Sequence, residues 1–168
     1  MSNFNLTNEA KLLIRDENGN YAPASSETIL EAARTVIDSK VQRGQVFDSP
    51  ALVKEYLCLK LAGYEHEVFA ILMLDNQHRL INYSEMFQGT IDSASVYPRE
   101  VVKAALACNA GAIIMAHNHP SGHPEPSMAD RNITKRLKEA LALVDVRVLD
   151  HIVVGGLETV SFSERGLL

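Results

Sequence analysis

A mixed β-sheet sandwiched between helices, an α/β fold, is what the sequence predicts, on three observations. Two near-continuous apolar runs, VFAILML (68–74) and AGAIIMA (110–116), read as strands covered on both faces. Around them lie segments whose apolar residues recur at helical spacing. Glycine, proline and asparagine punctuate the junctions. Strands alternating with helices build a sheet with helices on both sides.

The elements follow in chain order. Leu12 to Tyr21, with Asn18-Gly19-Asn20 inside, reads as a short extended piece and a turn. Ser25-Ser26-Glu27 opens a helix that ends by Gly44, with Ile29, Leu30, Ala33, Val36 and Ile37 on one face. Ser49-Pro50 opens a second helix, with proline in the first turn, where its missing N–H costs nothing. It runs through Leu52, Tyr56, Leu57 and Leu61 to Gly63. The main boundary is placed near Val46, between an N-terminal helical appendage (1–45) and a larger domain (46–168). After the first apolar strand, Asp75 to His78 is a turn, and Arg79 to Thr90 returns as one or two strands. Pro98 opens a helix through Val101, Val102, Ala105, Leu106 and Cys108. Ala112 to Ala116 is the second buried strand, Ser127 to Val144 a long amphipathic helix, Val146 to Val154 a further strand, and Thr159 to Phe162 an edge strand.

Composition narrows the function. With 168 residues, 46% hydrophobic and 22% charged, the chain can bury a sizeable core without a disulfide or structural metal. A metal in such a chain is expected to be catalytic. The net charge of -5 argues against broad, non-specific DNA binding, though not against a local basic patch. Cys58 and Cys108 flank no CxxC and read as two reduced, buried thiols. Neither apolar run is long enough to span a membrane. The N-terminal MSNFNLTNEAKLLIRD lacks the apolar core of a signal peptide, so a cytoplasmic location is expected.

The chemistry concentrates in AHNHPSGHPEPSMAD, residues 116–130, which holds three of the six histidines. His117 and His119, at i and i+2 of an extended segment, point to one side. Seven residues rich in proline and glycine turn the chain back. Ser127 then opens the helix, with Asp130 in its first turn. Two imidazoles and a carboxylate make a three-ligand set that leaves a position open, the catalytic arrangement for zinc. Zinc lowers the pKa of its water, and a nearby carboxylate is then needed to shuttle the proton. Glu67, opening the first apolar strand, is the preferred candidate; Glu65 and Glu85 are weaker, and spacing alone does not choose. By itself Ser127-x-x-Asp130 is a helix capping box needing no metal. The joint pattern H-x-H-x7-S-x-x-D, however, should arise by chance on the order of once in a thousand such sequences.

That pattern resembles the signature of the JAMM metalloproteases (MPN-plus domains), and HNHPSG followed by P-S-x-x-D resembles the RadC family more closely. EVFAILMLDNQHRLI, GTIDSASVYPREVVKAAL and DVRVLDHIVVGG resemble its opening, middle and closing segments, so the resemblance covers roughly Val46 to Leu168. It implies a fold like that of cytidine deaminase, with His117, His119 and Asp130 as zinc ligands. It implies Glu67 as general acid/base and Ser127 orienting the water or stabilising the oxyanion. The reaction implied is hydrolysis of a peptide or isopeptide bond. Asn118, where JAMM peptidases usually carry Ser or Thr, matches the RadC pattern. The N-terminal segment lacks the paired glycine-containing hairpins of a helix-hairpin-helix region, so the chain reads as a short RadC-like form.

Other features read more blandly. The contiguous His-Asn-His is not an HNH nuclease, whose residues spread over about thirty positions. The H-x-E and P-C-x-x-C of a zinc deaminase are not present. His123 is expected to be solvent-exposed, His66 an exposed strand-end histidine, and His151 a hydrogen-bonded structural histidine with a supporting role to the metal left open. Ser121-Gly122 reads as a turn. Arg131, Lys135 and Lys138, with Arg136 nearby, read as a solvated helix face; the alternative is an anionic contact, nucleic acid included. Two functions follow: a zinc-dependent hydrolase, or a DNA-associated repair, recombination or mobile-element defence module without peptidase turnover.

Overall fold

In the N-terminal part, β1 (Leu13–Arg15) and β2 (Tyr21–Pro23) pair antiparallel, and α1 spans Ser26–Lys40. Ser25 caps that helix, its Oγ accepting the Thr28 amide at 3.1 Å. The computed structural model describes residues 12–15, 19–40, 44–47, 49–89 and 96–168, so Asn18 of the expected turn lies outside it. The chain divides into two compact units, Met1–Lys40 and Val41–Leu168. Within the first, Ile29, Leu30 and Val36 of the expected apolar face are exposed.

The second unit is built on a five-stranded sheet. Its strands are β3 (Val68–Leu74), β4 (Leu80–Gln88), β5 (Ala112–Asn118), β6 (Arg147–Gly155) and β7 (Glu158–Ser161), in the order β4-β3-β5-β6-β7. β5 and β6 run parallel; the other neighbours are antiparallel. Every residue of β3 and β5 is buried, as the apolar runs predict for central strands. The mixed α/β sandwich expected from the sequence is therefore the observed fold.

Side-chain alternation divides the core in two. Phe69, Ile71, Met73, Ile113 and Met115 pack against Val101 and Ala105 of α3 (Pro98–Ala107) and Leu137 and Leu141 of α4 (Met128–Ala142). α2 (Pro50–Leu61) packs instead against β5, β6 and β7, burying Val53, Tyr56, Leu57 and Leu61. Ser49 caps it, accepting the Leu52 amide, with Pro50 at the first position as the sequence indicates. No helix among the described residues is long and apolar enough to cross a membrane.

Several expectations need correction. β5 continues two residues past Ala116, because His117 and Asn118 still pair with Val153 and Val154 of β6. The first histidine thus sits inside a strand. Cys58 and Cys108 are free but only half-buried; the Cys58 thiol bonds the Gly156 carbonyl at 3.6 Å. Glu85 is removed from the neighbourhood of the histidines by one β-bulge. Phe69 pairs with Phe87, but Ala70 pairs with Glu85, so Met86 is the extra residue. Without it Glu85 would share the face of Phe69 and His117. With it Glu85 shares the α2 face and accepts hydrogen bonds from Tyr64 and Tyr83.

Candidate metal centre

The turn after β5 is local chemistry. The Gly122 amide donates to the His119 carbonyl at 3.0 Å, and Gly122 takes φ +80°, where a side chain would be strained. The loop then passes close to β6: a Cβ on Gly155 would stand 2.5 Å from the Pro124 nitrogen and 2.7 Å from the Gly122 carbonyl oxygen. An ion pair of 2.6 Å between Arg165 and Glu125 ties the loop to the C-terminal turn. Ser127 forms a full capping box with Asp130. Its amide and hydroxyl donate to Asp130 Oδ2 at 2.6 and 2.7 Å, and its Oγ accepts the Asp130 amide at 3.1 Å.

This folding brings His117, His119 and Asp130 together, with one ligand atom from each within 4.8 Å of the others. The two Nε2 atoms are 3.0 Å apart; His117 Nε2 is 3.3 Å from Asp130 Oδ1 and His119 Nε2 is 3.5 Å from Oδ2. Ligands about 2.0–2.1 Å from one tetrahedral ion stand about 3.3 Å from each other. The histidines approach that spacing through different carboxylate oxygens, Oδ1 for His117 and Oδ2 for His119, so the three side chains could hold a small divalent metal. The donor chemistry fits as well. His119 Nδ1 is 2.7 Å from the His123 carbonyl, which can only accept, so the ring proton lies on Nδ1 and Nε2 is a bare lone pair. Lone pairs aimed at one another repel unless a cation or a proton sits between them.

The electrostatics agree. The Asp130 carboxylate raises the His119 pKa against the opposing effect of burial, helped by the His123 carbonyl and by Glu67. Burial acts to raise Asp130, but the facing His117 and His119 rings, in their protonated form, and the Ser127 hydroxyl hold its carboxyl well below the usual range. His117 keeps 1% side-chain exposure and His119 19%, so the site opens on the His119 side.

Glu67 lies on that side. Phe69 pairs with His117 across the antiparallel ladder, so the next residues of like facing are Glu67 and His119. Asn118 clamps the backbone around it: Oδ1 accepts the Val68 amide at 2.8 Å and Nδ2 donates to the His66 carbonyl at 3.0 Å. Both peptide groups flanking Glu67 are thus fixed by one buried amide side chain. A serine or threonine would have to serve both groups through a single oxygen, where Asn118 uses two separate atoms. Ser127 is exposed beside Asp130, with its one hydroxyl proton committed to Oδ2. Glu65 is exposed, and Arg131, Lys135, Arg136 and Lys138 are exposed along α4. His123 is exposed, as expected, but its carbonyl does the work of orienting His119. His66 is not the exposed residue expected: it is half-buried against Tyr64, with its Nε2 shielded and without a hydrogen-bond partner among the described residues.

His151 lies in the middle of β6, fully buried, with Nε2 2.9 Å from His117 Nδ1. Its ring stacks on Phe162 and meets the edge of Phe69, which itself stacks on His117. Thr134, 2.6 Å from His151 Nδ1, has no precedent in the sequence reading. Its signal was available: Thr134 follows Asp130 by four residues and shares its helix face.

A strand-end His-x-His facing a capped aspartate, in an α/β sandwich, defines a JAB-type domain. The family profile described as the RadC-like JAB domain matches residues 47–167, and the chain belongs to that family. A UPF0758 protein of Vibrio cholerae is 61% identical over 145 residues, 86% of this chain and 91% of that one. UPF0758 proteins of Methylibium petroleiphilum and Leptothrix cholodnii are 61% and 60% identical over 86% and 84% of this chain. This chain covers 65% and 64% of those two, just under two-thirds of their length.

Proposed function

We propose that the chain is a zinc-dependent hydrolase acting on a peptide or isopeptide bond. The observation that carries the reading is the convergence of His117 Nε2, His119 Nε2 and the Asp130 carboxylate, each pair approaching to 3.0–3.5 Å. Zinc bound there would polarise the scissile carbonyl and acidify water. Glu67 would take the proton of the attacking water as its oxygen adds to the carbonyl carbon. It then returns that proton to the leaving nitrogen as the C–N bond breaks. Ser127, exposed at the mouth, turns its hydroxyl from Asp130 Oδ2 to the oxyanion as charge develops there. Asn118 holds Glu67 in place through both neighbouring peptide groups.

The test is cleavage. Zinc-loaded protein is incubated with linear and isopeptide-linked peptide libraries and the products read by mass spectrometry, beside Glu67→Gln. Cleavage by the wild type, lost in a variant that keeps its zinc, is the expected result. No cleavage of either library, or equal cleavage by both proteins, would overturn the reading.

The DNA-associated alternative keeps one observation: Arg131, Lys135, Arg136 and Lys138 are all exposed on the helix that carries Asp130. Binding of DNA at low salt, lost when these charges are neutralised, would favour it.

A further inference from the structure

Thr134 and His151 are 2% and 0% exposed, so neither meets substrate or solvent. A continuous run of hydrogen bonds passes through them. Thr134 Oγ donates to the Asp130 carbonyl at 2.5 Å, lies 2.6 Å from His151 Nδ1, and His151 Nε2 lies 2.9 Å from His117 Nδ1. The run starts on one member of the metal-ligand set and ends on the backbone of another, joining β5, β6 and α4.

Its direction can be deduced. A carbonyl oxygen only accepts, so the single Thr134 hydroxyl proton goes to Asp130. Thr134 Oγ must then accept from His151, which places a proton on His151 Nδ1. Among the described residues the fully buried His151 ring hydrogen-bonds only Thr134 and His117 and no carboxylate, so it carries the single proton on Nδ1 and its Nε2 is bare. That nitrogen must accept from His117 Nδ1–H, which leaves His117 Nε2 as a lone pair aimed at Asp130 and His119. The opposite polarity would set two oxygen lone pairs against each other at 2.5 Å. A helical threonine bonding the carbonyl four residues back is common. A buried imidazole N–H bonded to that same hydroxyl, with the ring clamped between Phe162 and Phe69, is not explained by that habit.

We infer that Thr134 and His151 are positioning residues for the metal centre. Thr134 selects the tautomer of His151, His151 selects that of His117, and a bare His117 Nε2 is thereby fixed towards the ion. The inference rests on the reading of His117 as a metal ligand.

The test uses the full chain with zinc as probe. Affinity is measured by competition with a chromophoric chelator for wild type, Thr134→Val and Thr134→Ser. Histidine tautomers are read from two-bond proton–nitrogen NMR correlations. Thr134→Val keeps the shape and removes the hydroxyl; it is expected to weaken zinc binding about 10- to 100-fold. Thr134→Ser is expected to restore it, and wild-type His151 to carry its proton on Nδ1. A folded Thr134→Val that binds zinc as tightly as wild type overturns the inference. So does a His151 protonated on Nε2, a result that decides the matter alone if Thr134→Val does not fold. Wild-type protein that takes up no zinc overturns the ligand reading itself. That outcome is distinct from a wild type that binds and a variant that matches it.

Discussion

The two faces of the sheet each carry a polar cluster, and the clusters differ in how their acceptors are treated. On the α2 face every acceptor named meets donors. Glu85 receives the hydroxyls of Tyr64 and Tyr83 at 3.0–3.2 Å, and Asp150 receives the His151 and Ser163 amides and the Ser161 hydroxyl. On the α3/α4 face the surrounding protein takes up the far side of each ligand and leaves the near sides facing one another. A polar cluster that satisfies itself is structural. One whose acceptors converge and are held there could hold a cation.

The largest expected effect that sharpens this contrast is on turnover. Glu67→Gln should lower kcat by about 10²–10⁴-fold while zinc content stays at wild-type level, checked by steady-state kinetics beside metal analysis. Asn118→Ser puts one short hydroxyl in place of the two-ended clamp on Glu67 and should lower kcat by about 10- to 100-fold, again with zinc retained. The α2-face cluster should behave in the opposite way. Glu85→Leu leaves two tyrosine hydroxyls without their acceptor and should cost about 1–3 kcal/mol in denaturant unfolding, with zinc uptake unchanged. If Glu85→Leu loses zinc instead, the division into a structural and a functional face is broken. The smallest effect belongs to the exposed charges of α4. Replacing Arg131, Lys135 and Lys138 by glutamine should change stability by no more than about 0.5 kcal/mol per site and leave zinc content unaltered.

Much of this was legible in the sequence. Apolar runs marked the central strands, proline and serine marked the helix starts, and the spacing from His117 to Asp130 marked the ligand set within one turn of chain. What was not legible depends on contacts between distant segments. Glu85 could not be told from Glu67 as a proton shuttle, because a single bulge at Met86 decides which face it occupies. His151 reaches His117 only through the parallel pairing of β5 with β6, in which Met115 lies opposite His151. His66 and Asn118 acquire their places from the register of β3 against β5, which no local pattern specifies. Asn118 read as a family letter; the structure shows it as a two-handed staple.

The central claim is that converging acceptors on one face hold a metal, and zinc stoichiometry tests it most directly. Purified protein is incubated with excess zinc, freed of unbound metal and analysed by mass spectrometry beside His119→Ala. About one zinc per wild-type chain is expected. Little is expected in His119→Ala, whose circular dichroism should still be that of a folded chain, since the core does not depend on metal. Wild type without zinc, or His119→Ala carrying as much as wild type, would contradict it.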